Sequence, residues 1–147
     1  MAGLRWVTLP DAERDAFLEP GGTGVLSFTT ENDEPPASLP VSYGYATDDG
    51  AFYFRLSFPP ESNKSDRIDD PVSFVVAEET DDGWRSVVAT GSLEELAGHP
   101  YDSSAVQRMW AVDIPTVDIF DRPRDEIEFA DFRLIPTSVT GRKSAPE

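Results

Sequence analysis

Lys64 is one of only two lysines in a chain of 147 residues that carries 28 acidic and 12 basic side chains. It stands in the stretch PPESNKSDRIDD, residues 59 to 70, where Ser62, Asn63 and Arg67 gather with it around one predicted helix start. A helix N-terminus presents free backbone N–H groups and a partial positive charge. Ser62 and Asn63 add donors there and Lys64 adds a full charge, a set that suits a phosphate dianion. The plainer reading is that Ser62 caps the helix while Lys64 pairs with Asp66 or Glu61. Neighbouring residues weigh on the choice. Arg55 precedes this helix on the strand face opposite a phenylalanine stripe, Ser42 takes the matching face of the strand before it, and Arg85 and Ser86 lie on a later strand. Each has an ordinary explanation as a solvent-facing strand residue. Together they make a phosphate clamp with polar groups beside it.

Other chemistries lack their residues. His99, in AGHPYD, is the one histidine, and there is no cysteine. A histidine-activated triad, a zinc site and a disulfide framework therefore have no support. The two TDDG segments lack the spacing of a calcium loop and read as turns. No glycine-rich phosphate loop follows a parallel strand. The net charge of −16 excludes DNA and RNA as partners, since a phosphate backbone needs a basic surface. Aspartate and glutamate are spread over every loop rather than collected in one block, the pattern of proteins from salt-accumulating halophilic archaea. Molar salt shortens the Debye length to about 3 Å and screens the self-repulsion. The fold is accordingly expected to loosen when salt is removed. The first 20 residues carry charges throughout and no long apolar run, which predicts neither a signal peptide nor a membrane span and a cytoplasmic location.

The elements that must position the candidate groups read mainly as strands in one domain, residues 1–147. An N-terminal helical segment within residues 1–20, LPDAERDAFLEP, has Asp11 as its cap and Phe17 and Leu18 as its apolar side. Strands follow in TGVLSFTT, ASLPVSYGYA and AFYFRLSF. In the third of these, Phe52, Phe54, Leu56 and Phe58 share one face, and Tyr53, Arg55 and Ser57 the other. After the ESNKSDRIDD helix, PVSFVVAEE is a near-continuous apolar run and reads as a buried strand. WRSVVATGSLEEL is the fifth strand, with Gly91 at a bulge or bend. DSSAVQRMWAV is a helix with Val106, Met109 and Trp110 at helical spacing. EIEFADFRLIPTSVTG is a long last strand interrupted near Pro136, and residues 142–147 are expected to trail as a flexible tail. Six strands with short turns and small peripheral helices predict an antiparallel split β-barrel, closed or partly closed.

The order of LPVSYGY, AFYFRLS…PESNKSDRI, PVSFVVAEE, WRSVVATGSLEEL and the closing TGRKS resembles the FMN-binding split-barrel proteins related to pyridoxamine 5′-phosphate oxidase, nearest their nitroimidazole-reductase-like branch. The resemblance implies a homodimer that holds flavin mononucleotide (FMN) at or near the subunit interface and acts as an oxidoreductase on a small molecule of unknown identity. It implies that the backbone of Pro40, Val41, Ser42 and Tyr43 runs along the flavin ring system. Arg55, Ser62, Asn63 and Lys64 would take the phosphate, and Arg85 and Ser86 would approach the flavin. Trp110 and Arg142 would reach toward a site across the interface. Oxidase members commonly place two adjacent basic residues in the phosphate helix, whereas here Asn63 precedes Lys64. Two alternatives stand beside this one: a flavin-binding or sensing module without turnover, and a deazaflavin-dependent reductase, whose longer acidic cofactor demands more cations.

Overall fold

The computed structural model describes residues 4–30, 33–57, 70–96, 103, 106 and 129–146. The described elements are β1 (Leu4–Thr8), α1 (Asp11–Leu18), β2 (Gly22–Phe28), β3 (Ala37–Ala46), β4 (Ala51–Ser57), β5 (Val72–Thr80), β6 (Gly83–Glu95) and β7 (Phe129–Pro146). Every pairing is antiparallel, and the order β7–β4–β3–β2–β5–β6 returns to β7 through the β6–β7 ladder. Six strands thus close a barrel, as predicted. The seventh strand, β1, is an addition that was not read from the sequence. LRWVT is too short and too broken by charge to announce a strand, and it forms one because β7 offers it an edge.

Strand β7 organises the closure. Along one edge it pairs first with β4, from Phe129 to Leu134, and then with β1, from Arg142 to Pro146. Along its other edge it pairs with β6 from Phe132 to Lys143. Residues 142–146 do not trail: β1 pairs with all five, and β6 pairs with Arg142 and Lys143 on the other side. Pro136 does not end the strand either. The β6–β7 register shifts between Thr90 and Gly91, so that Gly91 faces Pro136 while Thr90 faces Ser138. Thr137 is the extra residue, and its Oγ1 donates to the Thr90 carbonyl at 3.1 Å. Proline has no N–H to give the ladder, and a bulge absorbs the missing bond. A Cβ on Gly91 would lie 2.7 Å from the Ile135 carbonyl oxygen, so the bulge needs glycine there.

The inward faces supply one aromatic core. Phe28, Phe52, Phe54, Phe74, Tyr43 and Phe132 are all buried, and Leu18 of α1 packs into the same cluster. Phe74 is its hub, edge-on to Tyr43 at 5.3 Å, Phe52 at 5.3 Å and Phe54 at 4.9 Å between ring centroids. Such pairs contribute about 0.5–1.5 kcal/mol each beyond the area they bury. Tyr53 and Ala51 point outward from β4 into a separate small cluster with Leu96. Both TDDG segments are turns. Asp49 accepts the Ala51 N–H at 3.0 Å and the Tyr53 hydroxyl at 2.8 Å, and Thr80 Oγ1 donates to the Gly83 carbonyl at 2.7 Å.

Helix α1 lies where predicted, but its N-cap is Pro10, with Asp11 in the first turn. Proline cannot cap with a side chain, so Asp11 and Glu13 act on the helix through its dipole instead. The helix predicted in ESNKSDRIDD lies outside the described residues. Of the one in DSSAVQRMWAV only Ser103 and Val106 are described; Val106 is buried and its N–H donates to Ser103 Oγ at 3.3 Å.

Strand β2 approaches β5 closely at Gly24. A Cβ there would stand 2.6 Å from Phe74 Cζ and 2.6 Å from the Val75 carbonyl oxygen, and the backbone atom cannot swing aside. Gly24→Ala should therefore destabilise the fold by about 1–3 kcal/mol. Denaturant unfolding in molar KCl measures it, and a variant as stable as the parent would refute the close approach.

Candidate functional site

Alternation along the strands decides which candidate groups can meet a ligand. On β3, Tyr43 and Tyr45 point into the core, and Pro40 and Ser42 point outward. Val41 packs from the inside against the core cluster. Any contact of Val41 or Tyr43 with a ligand outside the barrel is thereby limited to their backbone, the role the resemblance implies. On β6, Ser86 points outward, while Arg85 sits at the strand's first turn with Nη1 donating to the carbonyls of Asp82 at 3.3 Å and Trp84 at 3.1 Å. On β4, Arg55 is outward and exposed, its Nε donating to Asp131 of β7 at 2.9 Å. That bond fixes the guanidinium while leaving its Nη groups without a partner among the described residues. Ser62, Asn63 and Lys64 lie outside the described residues.

Cross-strand partners point to the same side of a sheet. The register therefore assembles an outer face from β3, β2, β5, β6 and β7. One row is all hydroxyl: Ser38, Ser27, Ser73, Thr90 and Ser138, with Ser27 and Ser38 bonded at 2.8 Å. The next is Pro40, Val25, Val75, Val88 and Thr140. The third, with the β2–β5 register carried two residues past its last pair, is Ser42, Thr23, Ala77, Ser86 and Arg142. Carried one residue past the last β3–β4 pair, Tyr43 with Phe54, the register sets Arg55 alongside Ser42. Pro40, Ser42 and Arg55 thus lie together on the barrel's outer surface, with Ser86 three strands away around it.

That surface is nearly free of charge. Three rows on five strands give fifteen positions, of which only Arg142 is charged, whereas a chain of 27% charged residues would place about four there. Val25 and Val88 are each 39% exposed in its middle. Depletion of charge with retained apolar side chains marks a surface that another molecule covers. The near-continuous apolar run of β5 has its explanation here. Val72, Phe74 and Val76 fill the core, while Val75 faces the uncharged outside. The run has the pattern of a strand covered on both faces, and the chain itself covers one.

The uncharged outward side of β3 fits an aromatic ring system lying over Pro40 and Ser42, and Arg55 beside it offers charge-assisted donors to an anionic substituent. Among the described residues no three acidic or histidine side chains gather as a metal site, and no helix is long and apolar enough to cross a membrane. Sequence reasoning missed Asp131 as the partner of Arg55, because the pairing is set by the β4–β7 register. It also missed the charge-poor face, although the signal was present. The outward positions of TGVLSF, VSFVVA and RSVVAT carry no acid in a chain full of acids.

A family model described as pyridoxamine 5′-phosphate oxidase matches residues 10–143. Comparison with curated proteins gives no match. Solved structures of the same fold include an FAD-binding protein from Mesorhizobium loti, 24% identical, with 97% of this chain and 99% of that one covered and a TM-score of 0.65. An FAD-binding protein from Mycobacterium smegmatis is 16% identical over 92% of this chain and 98% of that one, with a TM-score of 0.68. A candidate 5-nitroimidazole antibiotic resistance protein from Bacteroides thetaiotaomicron is 16% identical over 98% and 90%, with a TM-score of 0.62.

Three tyrosines next to this face report on its integrity. Burial pushes the Tyr43 hydroxyl up to about 12, with the charge of Glu78 adding to it. Burial also raises Tyr45 to about 12, helped by its 2.7 Å bond to Asp15 of α1, and Tyr53 to about 12, helped by Asp49. A phenol raised above its unfolded value stabilises the fold fully below about pH 10 and loses that contribution as pH climbs through the folded value. Ultraviolet titration of native protein in high salt should find these three tyrosines un-ionised at pH 10, with unfolding setting in between about pH 10 and 12. Three phenols ionising near pH 10 in folded protein would contradict the packing.

Proposed function

Since the chain belongs to the pyridoxamine 5′-phosphate oxidase family, we propose that it is a flavoprotein: a homodimer that binds FMN against the outer barrel face and acts as an oxidoreductase on a small molecule. The observation that carries this reading is the uncharged outward side of β3 bearing Pro40 and Ser42 beside Arg55. Two neighbours of the same fold are FAD-binding proteins, which supports a flavin and favours FAD as the second reading of its identity.

The chain's own residues divide the work. Ser42 and the β3 backbone from Pro40 to Tyr43 would hydrogen-bond and orient the ring, with Ser86 and Arg85 approaching from β6. Arg55, held by Asp131, would meet the phosphate with Ser62, Asn63 and Lys64. When bound, the flavin supplies hydride or electron transfer, and the protein supplies position, exclusion of water and charge balance. The valine row would be covered by a second copy of the chain, removing apolar surface from water at about 25 cal/mol per Å² without desolvating a carboxylate. In the molar salt that the scattered acids imply, such an interface would hold better than one built on ion pairs.

Mass spectrometry of the small molecule released from protein purified in high salt tests the flavin. FMN is expected, FAD would establish the second reading, and a colourless protein that ignores both added flavins would end the proposal. Lys64→Ala should weaken FMN binding by about 1.5–3 kcal/mol, the range for a charge-assisted hydrogen bond. Unchanged affinity at fixed salt would remove Lys64 from the phosphate site.

The interface has its own test. Val88→Glu places a charge in the middle of the proposed contact and should turn a dimer into monomers in sedimentation runs in molar KCl. A parent that is already monomeric, or a variant that stays dimeric, would move the interface elsewhere.

A further inference from the structure

On the outer side of the barrel, one row beyond Arg142, β7 presents Ser144 between two exposed tryptophans. Trp6 of β1 pairs with Ser144 and is 52% exposed. Trp84 of β6 lies opposite Ser144 on the other side, its backbone N–H donating to Ser144 Oγ at 3.0 Å, and is 40% exposed. Adjacent strands are about 4.8 Å apart, so the two indoles rise from backbones about 10 Å apart over a small residue. Ring contacts need roughly 3.5–4 Å on each side. Indoles leaning toward each other can therefore hold one flat ring between them.

The charge beside this slot sets the class of the ring. An open cleft of ≈ 410 Å³ runs along the turn from β1 into α1, and Trp6 and Arg142 both line it, with Arg14 and Asp11 among its other walls. Arg14 is engaged by Asp11 and Asp15, each at 3.3 Å, and Lys143 by Glu13 at 3.0 Å. Arg142 has no hydrogen bond or ion pair among the described residues, and it sits one row from both tryptophans, opposite Thr8 and Ser86. A guanidinium so placed is matched by a carboxylate. Glu79 lies opposite Trp84, and Asp11 lines the cleft, so a second negative charge on the ligand would be repelled.

We infer that the Trp6–Ser144–Trp84 slot binds a planar aromatic monocarboxylate, its ring between the indoles and its carboxylate on Arg142. The slot uses neither Arg55 nor the β3 backbone, although its Arg142 lies opposite Ser86, which the flavin proposal uses. Calorimetric titration of the full chain in molar KCl, with naphthoate and with neutral naphthalenemethanol as probes, tests it. Naphthoate should saturate one site per chain and bind about ten-fold tighter than naphthalenemethanol, as expected of one charge-assisted contact. Arg142→Gln should abolish that preference, and Trp84→Leu should weaken both probes. Equal binding of the two probes by the parent, a preference that survives Arg142→Gln, or displacement of naphthoate by FMN would each overturn the inference. Loss of flavin binding with naphthoate binding intact would fail the flavin reading alone.

Discussion

The β6–β7 ladder is the interaction on which this barrel depends, and the bulge at Thr137 is its decisive detail. Because side chains alternate with period two, one extra residue reverses the face of everything beyond it. Leu134 points inward, so an unbulged strand would send Ser138, Thr140 and Arg142 inward and Val139 and Gly141 outward. The shift opposite Gly91 does the reverse. It packs Val139 onto the core and lets Leu9 approach Gly141, where a Cβ would already stand 3.1 Å from the Leu9 Cβ. It also turns the Arg142 guanidinium into solvent. Pro136 and Gly91 are thus one device that keeps a cation out of an aromatic core.

Electrostatics explain why the outer face could be kept clear. Among the described residues the acidic side chains are carried on turns, on α1 and toward strand ends. There they find the few cations: Asp131 with Arg55, Glu94 with Arg133, Glu13 with Lys143. These pairs are partly exposed and individually worth little, on the order of 0–1 kcal/mol. Their effect is to orient side chains rather than to hold the barrel together. The interior does that, with rings around Phe74 and no buried charged or polar residue among those described. Hydroxyls of serine and threonine then give the outer rows polarity without charge, so the face remains wettable alone and inexpensive to desolvate.

Much of this was legible before the structure. The stripe of Phe52, Phe54 and Leu56, the alternation of Tyr43 and Tyr45, the irregularity at Gly91 and the α1 helix follow from local period and turn residues. What escaped was non-local. Trp6 belongs to a strand only because β7 is long enough to receive it, and Asp131 meets Arg55 only because β4 and β7 share a register. The closing RKSAPE reads as a tail when taken alone, and its Lys143 looks unremarkable until β1 and β6 lie beside it. Of the residues assigned to the ring, Pro40 and Ser42 point outward on β3 and Ser86 points outward on β6, as strand alternation required. Their common lack of charge could have been read from the outward positions, but only once the strands were known to be neighbours.

The proposed flavin and the proposed second copy both draw on the same face, and this has a thermodynamic consequence. A ligand that contacts both partners at a shared boundary stabilises their association by the factor with which association tightens the ligand, because the two equilibria form one cycle. Isolated, the valine row exposes apolar surface and the ring over Pro40 and Ser42 is open to water on its outer side. Covered, the row is dry, and hydrogen bonds from Ser42 and Ser86 act in a medium of lower dielectric constant, where they are stronger. A chain with few cations gains most from such coupling. It has little positive charge with which to hold an anion directly, and excluding water strengthens each donor it has. On that proposal, the scarcity of lysine and the uncharged face are two sides of one solution to binding an anionic nucleotide on an acidic protein.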